Sequence, residues 1–292
     1  MTPIELTDHA RPLTFTVDAI DEQGRTVPTA IAGEHPLTLY LDRRELVTLM
    51  TLGAAPEHLA LGYLRNQRIV RDVSALASVQ VDWDTQSVAI TSRALRDTGV
   101  SIWAQPQQAQ ALETRLAHRT VTTGCGQGTV FGDLMEDLDR IHLPRTAELT
   151  EEVLYTVMDR VRRHESIYKV AGAVHGCALC ANSGEQRGEI LSFVEDVGRH
   201  NAVDAIAGRM WLEGVDGADK IFYTTGRLTS EMVIKCAQMG VPFLLSRSGL
   251  TQMGYEIAQR VGITMIGRCQ GRHYLVFTGA QRFLRAPGTA LA

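Results

Sequence analysis

No stretch of this 292-residue sequence approaches the ~20 consecutive apolar residues that a membrane-spanning helix requires. The opening residues, MTPIELTDHARPLTF, also lack the basic start and unbroken apolar segment of a secretory signal. No membrane segment is expected, and a cytoplasmic location is. Cysteine is scarce and odd in number, five residues in all. That argues against a disulfide framework, and a chain of this length can bury a sizeable core without staples. Reduced thiols, most of them buried, are the expectation. A basic excess is missing as well. The formal net charge is -4, so no global field draws the chain to nucleic acid or to an anionic membrane. An anionic ligand must be held by a local site. There is no internal repeat, no Walker motif and no complete GxGxxG, which sets aside the standard nucleotide hydrolases and dehydrogenases.

What is present changes character along the chain. Up to about residue 92 the sequence reads mainly as short strands: LTFTV (13–17), PLTLYL (36–41), SVQVDW (78–83) and SVAITS (87–92). One helix interrupts them, PEHLALGYLRNQ (56–67), which starts with Pro and spaces Leu59, Leu61, Gly62, Leu64 and Ile69 roughly helically. A polar helix is expected around QPQQAQALETRLAHR, followed by a loop with glycines at 124, 126, 128 and 132. A second helix, TEEVLYTVMDRVRRHE (150–165), opens with a Thr cap and acidic residues. Beyond it strands and helices alternate: YKVAGAVHGCALC (168–180) and GEILSFVED (188–196) as strands, NAVDAIAGRMWLEG as a helix, IFYTT (221–225) as a strand, SEMVIKCAQMG (230–240) as a helix, PFLLS (242–246) as a strand, TQMGYEIAQRVG (251–262) as a helix and ITMIG (263–267) as a strand. This alternation predicts an α/β part with a mostly parallel sheet flanked by helices, preceded by a smaller β-rich part. The expected division is 1–118, a linker at 119–149 that holds the Gly-rich loop, and 150–292.

In parallel sheets ligands bind beyond the carboxyl ends of the strands. Three polar loops fall there. Glu195, Asp196, Gly198, Arg199, His200 and Asn201 form one; Gly226, Arg227, Thr229 and Ser230 a second; Ser246, Arg247 and Ser248 a third. Helix N-termini and arginines suit phosphate, and an aspartate can accept the N–H pair on the edge of guanine. Together the loops point to an anionic, nucleotide-like ligand.

Cys125 lies in VTTGCGQGTVFGD, with Gly on both sides. A thiol in a polar, Gly-rich segment can approach a large partner, and as thiolate it can act as a nucleophile or carry sulfur. Cys177 and Cys180 form a Cys-x-x-Cys with His175 nearby, which invites a zinc reading. The segment reads as a strand, however, so 175 and 177 share one face and 180 takes the other. No zinc is expected there. A zinc nucleoside deaminase also needs His-x-Glu and Pro-Cys-x-x-Cys; here residue 177 is Cys where Glu would stand, and it follows Gly176.

FVEDVGRHNAVDAIAG (193–208) closely resembles the signature of the formate dehydrogenase accessory sulfurtransferase (FdhD) family. TTGRLTSEMVIKCAQMGVPFLLSRS (224–248) resembles its next block, ALGYLRNQRIV (60–70) its N-terminal block, and GCG (124–126) its cysteine loop. The resemblance spans roughly 35 to 280. It implies a cytidine-deaminase-like fold without zinc chemistry and a homodimer. It further implies a persulfide received from a cysteine desulfurase and passed to the bis-guanine-dinucleotide molybdenum cofactor, as cargo, before that cofactor enters the formate dehydrogenase catalytic subunit. On that reading Cys125 carries the sulfur. Asp196, Arg199, His200, Asn201, Gly226, Arg227, Ser230, Met232 and Ser246 shape the guanine-nucleotide ends, for which a free guanine nucleotide is an analogue. Many members carry Cys-x-x-Cys in the loop; here Gly128 stands where the second cysteine would be. A chaperone that only binds the cofactor is the alternative reading.

Overall fold

The computed structural model describes residues 3–7, 11–104, 120–121, 128–129, 138 and 141–286. The polar helix expected near 105–119, and Cys125 itself, lie outside these residues. The chain forms two compact units, and they are not consecutive segments: 1–133, 166–174 and 195–213 make the first, and 134–165, 175–194 and 214–292 the second. Two stretches that the sequence places after residue 150, in the α/β part, therefore cluster with the β-rich unit.

The first unit is built on a five-stranded sheet. Its strands are β1 (Glu5–Leu6), β4 (His35–Leu41), β5 (Arg44–Thr51), β6 (Leu76–Asp82) and β7 (Ser87–Ser92), in the order β1-β6-β7-β4-β5. β4 and β5 are a hairpin joined by Asp42 and Arg43, both at positive φ (48° and 68°). Two such residues are what a tight hairpin turn requires. The Asp42 carboxylate anchors this turn to distant residues, accepting from Ser92 N (2.7 Å), Ser92 Oγ (2.7 Å) and Ile102 N (3.0 Å). Alternation turns Leu37, Leu39, Leu41, Val79, Val81, Val88 and Ile90 inward. Helix α1 (Pro56–Asn66) packs against β6 and β7, and against the later helix 199–213. Two separate ribbons, β2 (Thr14–Ile20) with β3 (Thr26–Ala32) and the short β8 (Thr120–Val121) with β9 (Gly128–Thr129), belong to this part. The sequence reading missed β3 and β5.

Residues 168–171 were expected to extend a strand; instead Ile167–Ala171 is a short helix. Ser166 Oγ accepts from Lys169 N (3.3 Å), and the distant Glu195 carboxylate takes Ile167 N (2.5 Å) and Tyr168 N (3.2 Å). Three of its orphan N-terminal donors are thus satisfied by side chains. Gly172, at φ 65°, ends it.

The second unit starts its strands with the short β10 (Leu149–Thr150) and holds a six-stranded sheet: β11 (His175–Ala181), β12 (Ile190–Asp196, its last two residues counted with the first unit), β13 (Lys220–Thr224), β14 (Phe243–Ser246), β15 (Thr264–Gln270) and β16 (His273–Val276), in the order β12-β11-β13-β14-β15-β16. The parallel part is limited to β13, β14 and β15. β11 runs antiparallel to β13, and β16 antiparallel to β15. The sheet is therefore mixed rather than mostly parallel. The difference comes from two hairpin connections, 182–189 and 271–272, too short for a parallel crossover; β16 was absent from the sequence reading. The helix Glu151–Arg163 packs on one face, where Val153, Leu154 and Val157 meet Ala178, Cys180, Tyr223, Phe243 and Leu245. It is capped as its sequence predicts, with Thr150 Oγ1 accepting from Val153 N (3.3 Å), acidic residues in its first turn and arginines in its last. Helices Ser230–Gln238 and Gln252–Val261 are the crossovers between the parallel strands. Among the described residues no helix is long and apolar enough to cross a membrane.

Candidate functional site

The signature run 195–201 belongs to the first unit, and its polar residues face inward. Asp196 is 3% exposed, Arg199 6%, His200 1% and Asn201 1%. Asp196 receives four hydrogen bonds. Its Oδ2 accepts from Thr51 Oγ1 (2.5 Å) and Leu52 N (3.2 Å); its Oδ1 accepts from Asn201 Nδ2 (2.7 Å) and Gly198 N (3.1 Å). Burial pushes the Asp196 carboxyl up to about 6, against the pull of these four donors. Asn201 Nδ2 also donates to Met50 O (2.7 Å). The carboxylate thus ties the end of β5 to the start of the helix Arg199–Glu213. With its lone pairs used in this way, Asp196 holds the loop's shape and has no pair of acceptors left for a guanine edge.

The same helix is locked to α1. A Cβ on Gly62 would lie 1.7 Å from Asp204 O, and one on Gly208 would lie 1.9 Å from His58 O. The two backbones touch at this crossing, where a glycine on each side is obligatory. Asn66 Nδ2 donates to the buried Asp204 Oδ1 (2.6 Å), and Arg65 Nη1 to Ala207 O (3.0 Å). The N-terminal block and the signature are therefore one structural assembly.

The second and third loops lie together at the carboxyl edge of the parallel strands in the second unit. Ser246, fully buried, donates to Gly226 O (2.6 Å) and accepts from Ser248 N (2.8 Å). Thr224 Oγ1 accepts from Gly226 N (3.1 Å) and from Cys177 Sγ (3.3 Å). Leu228 N donates to Gly249 O (3.0 Å), and Arg268 N to Ser248 O (2.9 Å). This network fixes three successive strand ends, each of which presents an exposed arginine: Arg227, Arg247 and Arg268. Arg268 sits at a bulge between Gly267 and Gln270, at φ 55°. Ser230 begins a helix whose N-terminus opens on this edge. Three guanidiniums beside a helix N-terminus favour phosphate groups.

The structure thus gathers Gly226, Arg227, Ser230 and Ser246 into one edge, and Asp196, Arg199, His200 and Asn201 into one buried cluster in the other unit. Met232 is fully buried within its helix and belongs to the core. Sequence reasoning missed Thr51, Thr224 and Arg268. Of these only Arg268 carried a signal, a charge directly after the apolar run ITMIG. It also missed the buried ion pair Glu231–Lys235 (3.3 Å).

Four of the five cysteines, Cys177, Cys180, Cys236 and Cys269, are buried thiols. Burial pushes Cys180 and Cys269 up to about 12 and Cys236 well above the ordinary thiol value. They are poor nucleophiles at neutral pH. Cys177 and Cys180 point to opposite faces of β11, and among the described residues no cluster of three or more His, Cys, Asp or Glu could hold a metal ion. Thr120–Val121 and Gly128–Thr129, which lie on either side of Cys125 in the sequence, pair antiparallel.

Comparison with known proteins adds a family. The model of the FdhD/NarQ family matches residues 32–284. A protein named sulfur carrier protein FdhD from Listeria monocytogenes is 26% identical over 281 residues, covering 96% of this chain and 99% of the relative. One of the same name from Wolinella succinogenes is 26% identical over 249 residues, covering 85% and 80%. The crystal structure of a putative formate dehydrogenase accessory protein from Desulfotalea psychrophila superposes with a TM-score of 0.70 at 22% identity, over 94% of this chain and 100% of that one. That likeness shows a shared fold.

Proposed function

This chain belongs to the FdhD/NarQ family, and from that premise we propose that it carries sulfur for the maturation of a molybdenum-dependent formate dehydrogenase. The Cys125 thiolate takes the outer sulfur of a desulfurase persulfide, and the desulfurase leaves as its own thiolate. The S–S bond of the resulting Cys125 persulfide then breaks, Cys125 leaves as its thiolate, and the outer sulfur passes to the bis-guanine-dinucleotide molybdenum cofactor, the cargo, whose reduced metal would supply the two electrons that make it sulfide, before the cofactor reaches the catalytic subunit. The protein works in the cytoplasm as a homodimer, and its second unit is cytidine-deaminase-like. Parallel β13–β15 with intervening helices support that last point.

The contrast among the thiols carries this reading. Four are buried, and burial raises the pKa of Cys180, Cys236 and Cys269, whereas Cys125 stands between two glycines in the segment that resembles the family's cysteine loop. The arginine edge supports the second half, since Arg227, Arg247 and Arg268 suit the phosphates of a guanine nucleotide. Intact mass spectrometry after incubation with a cysteine desulfurase and cysteine tests the first half. One added sulfur atom is expected, lost in Cys125→Ala. Its absence in the unaltered protein would leave the second reading, a cofactor-binding chaperone without sulfur chemistry, which Gly128 in place of a second loop cysteine favours. Calorimetric titration tests the ligand: GDP should bind more tightly than ADP, and Arg227→Ala with Arg247→Ala should weaken both.

A further inference from the structure

A lone two-stranded ribbon is marginally stable in water. The ribbon of β2 and β3 is such a pair: among the described residues no third strand joins it. Its base is anchored to the five-stranded sheet of the first unit. The Phe15 ring meets His35 edge-on (5.9 Å between centroids), and His35 meets Trp83 (6.1 Å). Beyond that anchor, one face of the ribbon carries Phe15, Val17, Val27 and Ile31, all exposed.

The two edges of the ribbon differ. Asp21 N donates to Arg25 O (3.0 Å) at one end, and Gly33 N to Leu13 O (2.9 Å) at the other. Hydrogen-bonded pairs alternate along an antiparallel ladder, and the register between these ends is unbroken. Residues 15, 17 and 19 therefore turn their N–H and C=O groups toward β3, while Thr14, Thr16, Asp18 and Ile20 turn theirs outward. By the same alternation Pro28, opposite Asp18, sets its nitrogen on the outer edge of β3. It has no hydrogen to give there and blunts that edge. The outer edge of β2 lacks such a guard: TFTVDAI contains no Pro, Gly or Lys, and its one charge is Asp18.

We propose that β2 pairs antiparallel with β2 of a second copy of this chain, across a two-fold axis at Val17, to make one four-stranded ribbon. The strand is self-complementary in this register. Val17 meets its own counterpart, Phe15 meets Ala19, Thr14 meets Ile20, and Asp18 meets Thr16, so no charge faces its like. Every outward N–H and C=O group of Thr14–Ile20 gains a partner. Moving the axis to residue 18 would set Asp18 against its counterpart, an unfavourable cross-strand pair. Moving it to residue 16 would leave Ile20 beyond the paired strand. The pairing names an interface for the homodimer proposed above and rests on that reading.

Sedimentation velocity of the full chain in a concentration series tests this, with far-UV circular dichroism to check that each variant is folded. The unaltered chain should dimerise. Thr16→Pro removes an outward N–H, leaves the ladder to β3 intact and acts twice by symmetry, so it should weaken dimerisation about tenfold or more. Thr16→Asp, which opposes two acidic pairs across the seam, should weaken it as well, whereas Thr16→Lys should not. In a Cys125→Ala background, oxidised glutathione should link Val17→Cys into a disulfide dimer, releasing two molecules of glutathione. Directly opposed residues of a non-hydrogen-bonded pair have Cα atoms about 4.5 Å apart, within disulfide reach. Thr29→Cys, on β3, should not cross-link. A monomer at every concentration would overturn both the interface and the homodimer. A dimer indifferent to Thr16→Pro and Thr16→Asp, with no cross-link from Val17→Cys, would leave the homodimer standing and overturn this interface alone.

Discussion

Asp196 offers the sharpest test, because one substitution separates its charge from its hydrogen bonds. Burial raises its carboxyl from 3.8 to about 6. The folded protein therefore holds this proton more tightly than the unfolded chain does. Its contribution to stability is fully present below 3.8 and is lost as pH rises through about 6. At about 1.36 kcal/mol per pH unit, the loss amounts to ~3 kcal/mol. Asp196→Asn removes this titration. The carboxamide oxygen can still accept from Gly198 N and Asn201 Nδ2, and the amide can donate to Thr51 Oγ1. Leu52 N, which now donates to Oδ2 at 3.2 Å, would face a donor instead, at a cost of ~1–3 kcal/mol. The variant should be less stable than the unaltered protein by that amount near about pH 4, and equal to it or better near about pH 7.5. Urea unfolding followed by tryptophan fluorescence at several pH values measures the difference. A stability gap that stays constant across this range would show that Asp196 does not titrate as its burial dictates. Asp196→Ala, which abandons all four donors, should be destabilised by ~3 kcal/mol or more at every pH.

Gly62→Ala and Gly208→Ala should each cost ~3 kcal/mol or more, or prevent folding, since the added Cβ meets backbone at 1.7 and 1.9 Å; Gly249→Ala, with nothing within 4 Å, is the neutral control in thermal melts. Lys235→Met strips a counter-ion from the buried Glu231 and should destabilise by ~3–5 kcal/mol, with part of the loss recovered by adding Glu231→Gln in a double-mutant cycle. Iodoacetamide on the native protein should label Cys125 first and leave Cys177, Cys180, Cys236 and Cys269 unmodified until denaturant is added, as peptide mapping would reveal.

Much of the fold was legible because the segments concerned carry their own periodicity. The helix 151–163 advertises its cap, its acidic first turn and its basic last turn. The strands 36–41, 78–82 and 87–92 alternate cleanly. Errors arose where distant residues decide. Nothing near Ile167 says that Glu195 will cap it, so a β-branched and aromatic run read as strand became helix. The site shows the same division. Gly226 and Ser246 were picked out as neighbours on a strand edge, and they bond to each other. Asp196 was picked out for its chemistry, yet Thr51 and Leu52, some 145 residues earlier, claim its oxygens. A dense polar loop looks alike in sequence whether it serves a ligand or its own interior.

The contact between Gly62 and Gly208 also bears on how the protein is made. A ribosome releases α1 long before the helix 199–213 exists, and nothing but that helix's backbone can fill the notch at Gly62. Through most of synthesis the emerging first unit must wait, its strands formed or forming but one flank of α1 bare. Fragments that stop short of residue 213 should accordingly be sticky and sensitive to protease, however neatly they end at a loop. For a circular permutant, new termini opened near 24 or 184 would leave the closing helix in the chain but change how long the rest must wait for it.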